Sequence, residues 1–314
     1  MGIPLFFRYL VNNYDDLLTS NKQLLDCDNL YLDLNCAIHY CCREVLKNEK
    51  FSLTKQNDIE NKMIQFVIQY IEILVQYSKP KKLLYIAIDG PAPKAKLNQQ
   101  RMRRFKKFYD KKTSDELKIK FKEEINEESE WDTNAITPGT LFMDKLSKKL
   151  KSYFINRKII KVIISDSNIP GEGEHKLLNH LKNNYVSDET NIIYGLDADL
   201  IMLCLIANKP NIYLLRETVE FNNKIHVEGY KFLYLNIDNL KKNLLIEIES
   251  RLGNVLLNEE KKNKIVYDYI FLSFILGNDF IPHSPSVGIK NNGIDLLLDL
   301  YVRYYFDTKS NLVL

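Results

Sequence analysis

Seven carboxylates, Asp33, Asp89, Glu172, Glu174, Asp197, Asp199 and Asp279, stand at positions where this chain could do chemistry. Four short apolar runs, 29–34 (NLYLDL), 82–88 (KLLYIAI), 159–165 (IIKVIIS) and 191–196 (NIIYGL), read as buried strands. Each delivers acids. The first ends at Asp33 and the second at Asp89; the third leads into Gly171-Glu172-Gly173-Glu174 and the fourth into Asp197-Ala198-Asp199. A later segment, GNDF, adds Asp279. A single acid at a strand end is ordinarily a solvated turn residue or an N-cap. Recurrence over four consecutive strands points to a shared task. In a parallel sheet the ligand crevice lies beyond the carboxyl ends of the strands. Several carboxylates in one crevice repel, so some take up protons unless a cation is present. Hard cations such as Mg²⁺ or Mn²⁺ prefer carboxylate and water oxygens. Two such ions about 3.5–4 Å apart can activate a water and stabilise the leaving oxygen of a phosphodiester. Glu172/Glu174 and Asp197/Asp199 are spaced by two, which does not share a helix face. They need loop or first-turn geometry, which the glycines of GEGE permit.

A second cluster has the opposite sign. Residues 94–112 hold nine basic residues and one acid, a local net of +8. Within it Lys96, Gln100, Arg103 and Arg104 sit at i, i+4, i+7 and i+8, one face if the stretch is helical. Such a face can grip a phosphate, with arginine forks giving paired hydrogen bonds and lysine a point charge. The bland reading is a solvated basic helix. Its place immediately after Asp89 favours the sharper one, since the strand delivers it to the acidic crevice. Residues 115–132 then carry a net of −5 and read as an exposed acidic segment.

The elements that must position these groups follow from periodicity. Helical patterns at 58–77, 140–154 and 174–184 alternate with the strands. That alternation predicts an α/β fold with a central, mainly parallel sheet. From about Asn236 onward helical patterns dominate, including 264–276 and 293–305, so a helix-rich C-terminal part is expected. The 314 residues suffice for a real core, and one compact domain is expected. No stretch reaches the roughly 18 apolar residues of a membrane helix. Five cysteines without zinc-finger spacing read as reduced thiols inside a cell. Forty-four basic against 41 acidic residues give a net charge of +3, which excludes a uniformly basic binder.

At these residues the sequence resembles the amino-terminal catalytic region of the XRN family of 5′→3′ exoribonucleases. The blocks are MGIPLFFRYL (1–10), LYLDLNCAIH (30–39), IDGPAPKAKLNQQRMRRF (88–105), WDTNAITPGT (131–140), IPGEGEHK (169–176), YGLDADLIML (194–203), LLRE (214–217) and GNDFIPHSPS (277–286). They come in family order and span nearly the whole chain. The resemblance implies a fold of the PIN/flap-nuclease type and Mg²⁺-dependent hydrolysis of RNA from a 5′-monophosphate end to 5′-mononucleotides. It implies two Mg²⁺ ions, with Mn²⁺ as an alternative, held by Asp33, Asp89, Glu172, Glu174, Asp197, Asp199 and Asp279. It matches Lys96, Gln100, Arg103 and Arg104 to the family's pocket for a 5′-terminal phosphate, and His39 to a histidine that stacks on the first base. Asn35 is expected to order its motif, and Trp131 to pack.

Family members usually continue into a second region that braces the site and supplies an aromatic partner for stacking. The resemblance therefore reads 1–314 as the N-terminal nuclease domain with that second region absent. The nuclear branch often carries a Cys/His zinc knuckle after the LLRE block, whereas 218–229 here contain no cysteine. The resemblance thus leans to the cytoplasmic mRNA-decay branch, with a nuclear location as the alternative. The expected partner is single-stranded RNA, without a membrane. Two other readings stay open: a flap-type DNA endonuclease, which shares the acids but needs no 5′-phosphate grip, and a non-catalytic RNA-binding remnant.

Overall fold

The computed structural model describes residues 3, 5–20, 26–48, 52–121, 131–157, 159–217, 232–253, 257–278 and 281–313. In chain order the elements are α1 (Phe6–Asn13), β1 (Leu18–Ser20), β2 (Asn29–Asp33), α2 (Asn35–Asn48), α3 (Gln56–Ser78), β3 (Leu83–Ala87), α4 (Lys94–Lys120), α5 (Leu141–Phe154), β4 (Lys161–Ser165), α6 (Gly173–Asn183), β5 (Asn191–Tyr194), α7 (Ala198–Ala207), β6 (Ile212–Glu217), β7 (Phe232–Asn236), α8 (Ile237–Arg251), α9 (Glu259–Ile275) and α10 (Gly293–Thr308). The architecture is α/β, a mixed, mostly parallel sheet flanked by helices, as the alternation predicts. The chain packs as two compact units, 32–177 and 1–31 with 178–314.

In the 32–177 unit the strand order is β2-β3-β4. β3 and β4 run parallel, from Leu83 opposite Lys161 to Ala87 opposite Ser165. All five residues of β3 are buried, as expected of a strand covered on both faces. α3 packs beside α2 and α5 and buries Ile59, Met63, Ile64, Val67, Tyr70, Ile71 and Leu74, a helical stripe that is buried throughout. It stops at Lys79, which adopts a left-handed conformation (φ 49°) just before Pro80. α5 starts where Thr140 Oγ1 accepts a hydrogen bond from the Met143 N–H.

In the other unit the order is β1-β7-β6-β5-β2. β5 and β6 are parallel, β7 is antiparallel to β6, and β1 is antiparallel to β7. β1, β6 and β7 extend the sheet beyond the four strands that sequence pattern suggests. β1 is only three residues long, and β6 ends in the charged pair Arg216-Glu217, so neither shows a clean apolar run. The helix-rich C-terminal part is α8, α9 and α10.

One buried acid organises that part. Asp268 of α9 is fully buried. It accepts hydrogen bonds from Tyr301 Oη (2.8 Å), Asn311 Nδ2 (2.7 Å) and the Val313 N–H (2.7 Å). Each hydrogen bond to a charged group contributes about 1.5–3 kcal/mol, and a buried donor left without a partner costs a similar amount. Asp268→Ala is therefore expected to destabilise the protein by about 3 kcal/mol or more, read as a lower urea midpoint in equilibrium unfolding.

Candidate active site

The 32–177 unit gathers four of the seven acids around one glycine. Asp33 ends β2 and is buried, Asp89 follows β3 and is half-buried, and Glu172 and Glu174 flank Gly173 at the start of α6, both buried. The Gly173 N–H donates to Asp89 Oδ1 at 2.7 Å. A Cβ on Gly173 would lie 2.5 Å from Asp33 Oδ1 and 3.4 Å from Asp89 Oδ1. Only a residue without a side chain lets these carboxylates come so close to the α6 backbone. Glu174 lies in the first turn of α6, the geometry its spacing from Glu172 requires. Asn35, on the first turn of α2, accepts a hydrogen bond from the Asp89 N–H through Oδ1 at 3.1 Å, the ordering role expected of it.

The electrostatics are those of crowded carboxylates. Burial pushes the Asp89 carboxyl above its ordinary range, against the Gly173 hydrogen bond, and the Glu172 charge adds to the rise. Burial also acts on Glu172, but hydrogen bonds from His175 and Lys96 outweigh it and hold that carboxyl below its usual value. His175 Nδ1 lies 3.6 Å from Glu172 Oε2 and 3.8 Å from Glu174 Oε1. Its hydrogen bond to Glu172 raises its pKa, with burial opposing. One ligand atom from each of Glu172, Glu174 and His175 falls within 4.8 Å of the others, a cluster that could hold a metal ion. Sequence reasoning left His175 out. Its position directly after the GEGE acids was the available signal.

The basic helix meets this cluster. α4 runs unbroken from Lys94 to Lys120. Lys96, Gln100 and Arg103 are half-buried on one face, while Leu97, Asn98, Arg101 and Met102 are exposed. Arg104 is exposed at the edge of that face. Lys96 Nζ pairs with Glu172 Oε1 at 2.5 Å, both side chains largely buried. The sequence did not reveal this contact between the opposed clusters. His39 is exposed on α2 in the same unit. Trp131 is buried edge-on against Phe142, with ring centroids 5.2 Å apart, a packing role as expected. Of the acidic segment 115–132, residues 115–120 continue α4, and 122–130 lie outside the described residues.

Asp197 and Asp199 belong to the other unit. Asp197 is the N-cap of α7, with extended backbone (φ −70°, ψ 141°), and Asp199 lies in the first turn; both are half-buried. Asp279, and the 218–229 stretch that bears on a zinc knuckle, lie outside the described residues.

Two buried cations underlie the acid-bearing turns, and sequence reasoning singled out neither. Lys176 Nζ donates to the carbonyl oxygens of Ile88 (2.8 Å) and Asp166 (2.9 Å). Burial lowers its pKa, with the Asp89 and Asp166 charges opposing. Gly90 leaves it room: a Cβ there would lie 3.2 Å from Nζ and 1.8 Å from the Ile169 carbonyl oxygen. Arg216, in β6, is likewise buried. Its guanidinium donates to the carbonyls of Gly195 and Asp197 at 3.4 Å each and to that of Leu196. It lies 4.2 Å over the Phe7 ring.

Comparison with known proteins gives the same order of motifs a name. A family profile described as XRN 5′-3′ exonuclease N-terminus matches residues 1–218, and one described as Xrn1 helical domain matches residues 259–313, which span α9 and α10. The 5′-3′ exoribonuclease 1 of Schizosaccharomyces pombe is 38% identical over 321 residues, covering 96% of this chain and 24% of that protein. That of Saccharomyces cerevisiae is 37% identical over 320 residues, covering 96% and 20%. The 5′-3′ exoribonuclease 2 of Eremothecium gossypii is 34% identical over 366 residues, covering 96% and 38%. The chain thus spans well under half the length of these relatives. Among solved structures, the catalytic core of Rad2 in complex with a DNA substrate aligns with a TM-score of 0.47 and 17% identity, covering 97% of this chain and 73% of that one.

The raised pKa of Asp89 fixes the sign of a stability effect. An acid whose folded pKa is raised binds more protons in the native than in the unfolded state, so stability falls as pH rises through that range. At neutral pH the ionised Asp89 carboxylate therefore opposes folding. Asp89→Asn retains an oxygen to accept the Gly173 N–H. In EDTA at pH 7 this variant is expected to unfold at the same or a higher urea concentration than the parent. The two curves should converge as pH falls toward the ordinary carboxyl value of 3.8.

Proposed function

The chain belongs to the XRN 5′-3′ exonuclease family, and on that premise we propose that it hydrolyses RNA from a 5′-monophosphate end, with Mg²⁺, releasing 5′-mononucleotides. The observation that carries the reading is the Lys96–Glu172 pair. It ties the helix with the phosphate-gripping face to the carboxylate cluster. A nuclease that cleaves one nucleotide from an end needs those two functions at a fixed separation.

The donor set fits a hard divalent cation: buried carboxylates of Asp33, Glu172 and Glu174 beside the half-buried Asp89 carboxylate and the His175 ring. Among the described residues Asp33, Asp89, Glu172, Glu174, Asp197 and Asp199 would hold it, and Asp279 completes the proposed set. When bound, two such ions lower the pKa of a water and neutralise charge on the leaving oxygen. The chain's own residues do the rest. Arg103 and Arg104 clamp the terminal phosphate oxygens with planar forks, Lys96 adds a point charge, and Gln100 donates an amide hydrogen bond. His39, exposed on α2, supplies a flat ring for the first base.

Within the family this reading assigns the chain to the cytoplasmic mRNA-decay branch. Supporting it are identities of 38% and 37% to proteins named 5′-3′ exoribonuclease 1, against 31% to 34% for those named 5′-3′ exoribonuclease 2. Among the described residues no helix is long and apolar enough to cross a membrane.

The test is digestion of one RNA carrying a 5′-monophosphate, a 5′-hydroxyl or a 5′-triphosphate. The monophosphate form is expected to be consumed fastest, with mononucleotides as the product, and Arg103→Ala to erase most of the difference. Equal rates on all three ends would overturn the phosphate grip. Cation stabilisation of the transition state is worth several kcal/mol, so Asp197→Ala is expected to slow hydrolysis about 100-fold or more; an Asp197→Ala protein as fast as the parent would remove that residue from the site.

A further inference from the structure

We propose that Lys176 and Arg216 are positioning residues that hold the acid-bearing turns in the arrangement a divalent cation needs. The inference rests on the reading that the acids hold such cations.

The two side chains do the same physical work in separate places. Each is a buried cation that donates hydrogen bonds to backbone carbonyls at the carboxyl end of a strand. Lys176 joins two strands: Ile88 immediately precedes Asp89, and Asp166 immediately follows β4. Its own backbone N–H bonds to the Glu172 carbonyl at 3.0 Å, within the α6 turn that bears Glu172 and Glu174. One residue thus fixes the turns that carry three of the acids. Arg216 draws the consecutive carbonyls of Gly195, Leu196 and Asp197 onto one guanidinium. That bends the chain off β5 and sets Asp197 at the start of α7. A rigid, planar donor fork reaches all three oxygens, which an ammonium on a flexible stem would not do.

Stability alone does not account for the choice of charged groups. Burying a cation is expensive even when it is well partnered, and a neutral amide could donate to a carbonyl without that charge-desolvation cost. The positive charge is useful where carboxylates crowd. Cation-free, the acids push their own turns apart. A fixed cation under the backbone resists that spreading without occupying the carboxylates, and it leaves their oxygens for the ion. A site held in its bound geometry before loading binds more tightly, because less reorganisation is needed.

The experiment compares Lys176→Gln and Arg216→Gln with the parent. Glutamine is uncharged but still donates to one carbonyl, which favours retention of the fold. Arg216→Lys serves as a charge-conserving variant. Folding is checked by urea unfolding in EDTA, and Mn²⁺ binding to the metal-free full chain is measured by calorimetry. The Mg²⁺ dependence of RNA hydrolysis is measured in parallel. Both glutamine variants are expected to bind Mn²⁺ at least tenfold more weakly. Their half-saturating Mg²⁺ should rise to match, and the rate at saturating Mg²⁺ should stay within a few-fold of the parent. Arg216→Lys should recover part of the lost affinity. Folded glutamine variants that bind Mn²⁺ within twofold of the parent would overturn the proposal. If neither glutamine variant folds, Arg216→Lys decides: parental Mn²⁺ affinity in that protein overturns the need for the fork, and a several-fold loss supports it. A parent that binds no Mn²⁺ would remove the functional reading itself, a different result from parental binding in the variants.

Discussion

The structure of the 32–177 unit turns on the crowding of like charges at the ends of its strands. Asp33, Asp89, Glu172 and Glu174 approach one short backbone turn at Gly173. Nothing in chain propensity favours this arrangement. Desolvation and mutual repulsion both oppose the ionised forms. The turn persists because the groups around it are over-determined: a glycine that admits the carboxylates, an asparagine on the Asp89 N–H, a lysine on Glu172 and a second lysine beneath the backbone. The two lysines answer the local excess of negative charge, while the glycine and the asparagine fix the backbone on which it stands.

That explains which parts were legible in the sequence. The strands 29–33, 83–87 and 191–194 were visible as apolar runs because burial on both faces removes polar residues from them, and the edge strand 161–165 shows such a run although it is only partly buried. The acids were visible because each closes such a run. α3, α5 and α10 were visible through their apolar stripes. The counter-charges were not. Lys176 sits among polar residues in GEGEHK and reads as solvent-facing, and Arg216 reads as a strand-end charge. Their burial depends on carbonyls contributed by residues 10 to 88 positions away, a long-range fact that no local pattern encodes. β1, β6 and β7 were missed for a related reason. A short strand, or one that ends in charges, is recognisable only through its neighbour in the sheet.

The net charge of +3 hides this organisation. It averages over a +8 stretch and a −5 stretch that follow one another along the chain, and over a set of acids concentrated at strand ends. The two signs meet in a close, largely buried contact between Lys96 and Glu172 rather than in a diffuse field. The whole-chain figure is a statement about solubility and long-range steering. Local sign and burial carry the chemistry.

The connection between the acids and the basic helix is short enough to act as a ruler. Only Gly90, Pro91, Ala92 and Pro93 separate Asp89 from the first residue of α4. Two prolines fix φ in that stretch. The Gly90 N–H donates to the Gly171 carbonyl at 2.9 Å, and the Gly171 N–H donates to the Pro91 carbonyl at 3.0 Å, so the linker is laced to the turn that bears Glu172. Lys96 closes the loop from the other side through its pair with Glu172. The distance from the carboxylates to the half-buried face of α4 is thereby set by backbone geometry rather than by side-chain reach. Side chains that fluctuate by a rotamer would let a substrate slip by part of a nucleotide. A stiff linker with two backbone hydrogen bonds does not. In the proposed exonuclease, the fidelity with which one nucleotide is released per cleavage would be a property of residues 90–93 and 171 as much as of the acids themselves.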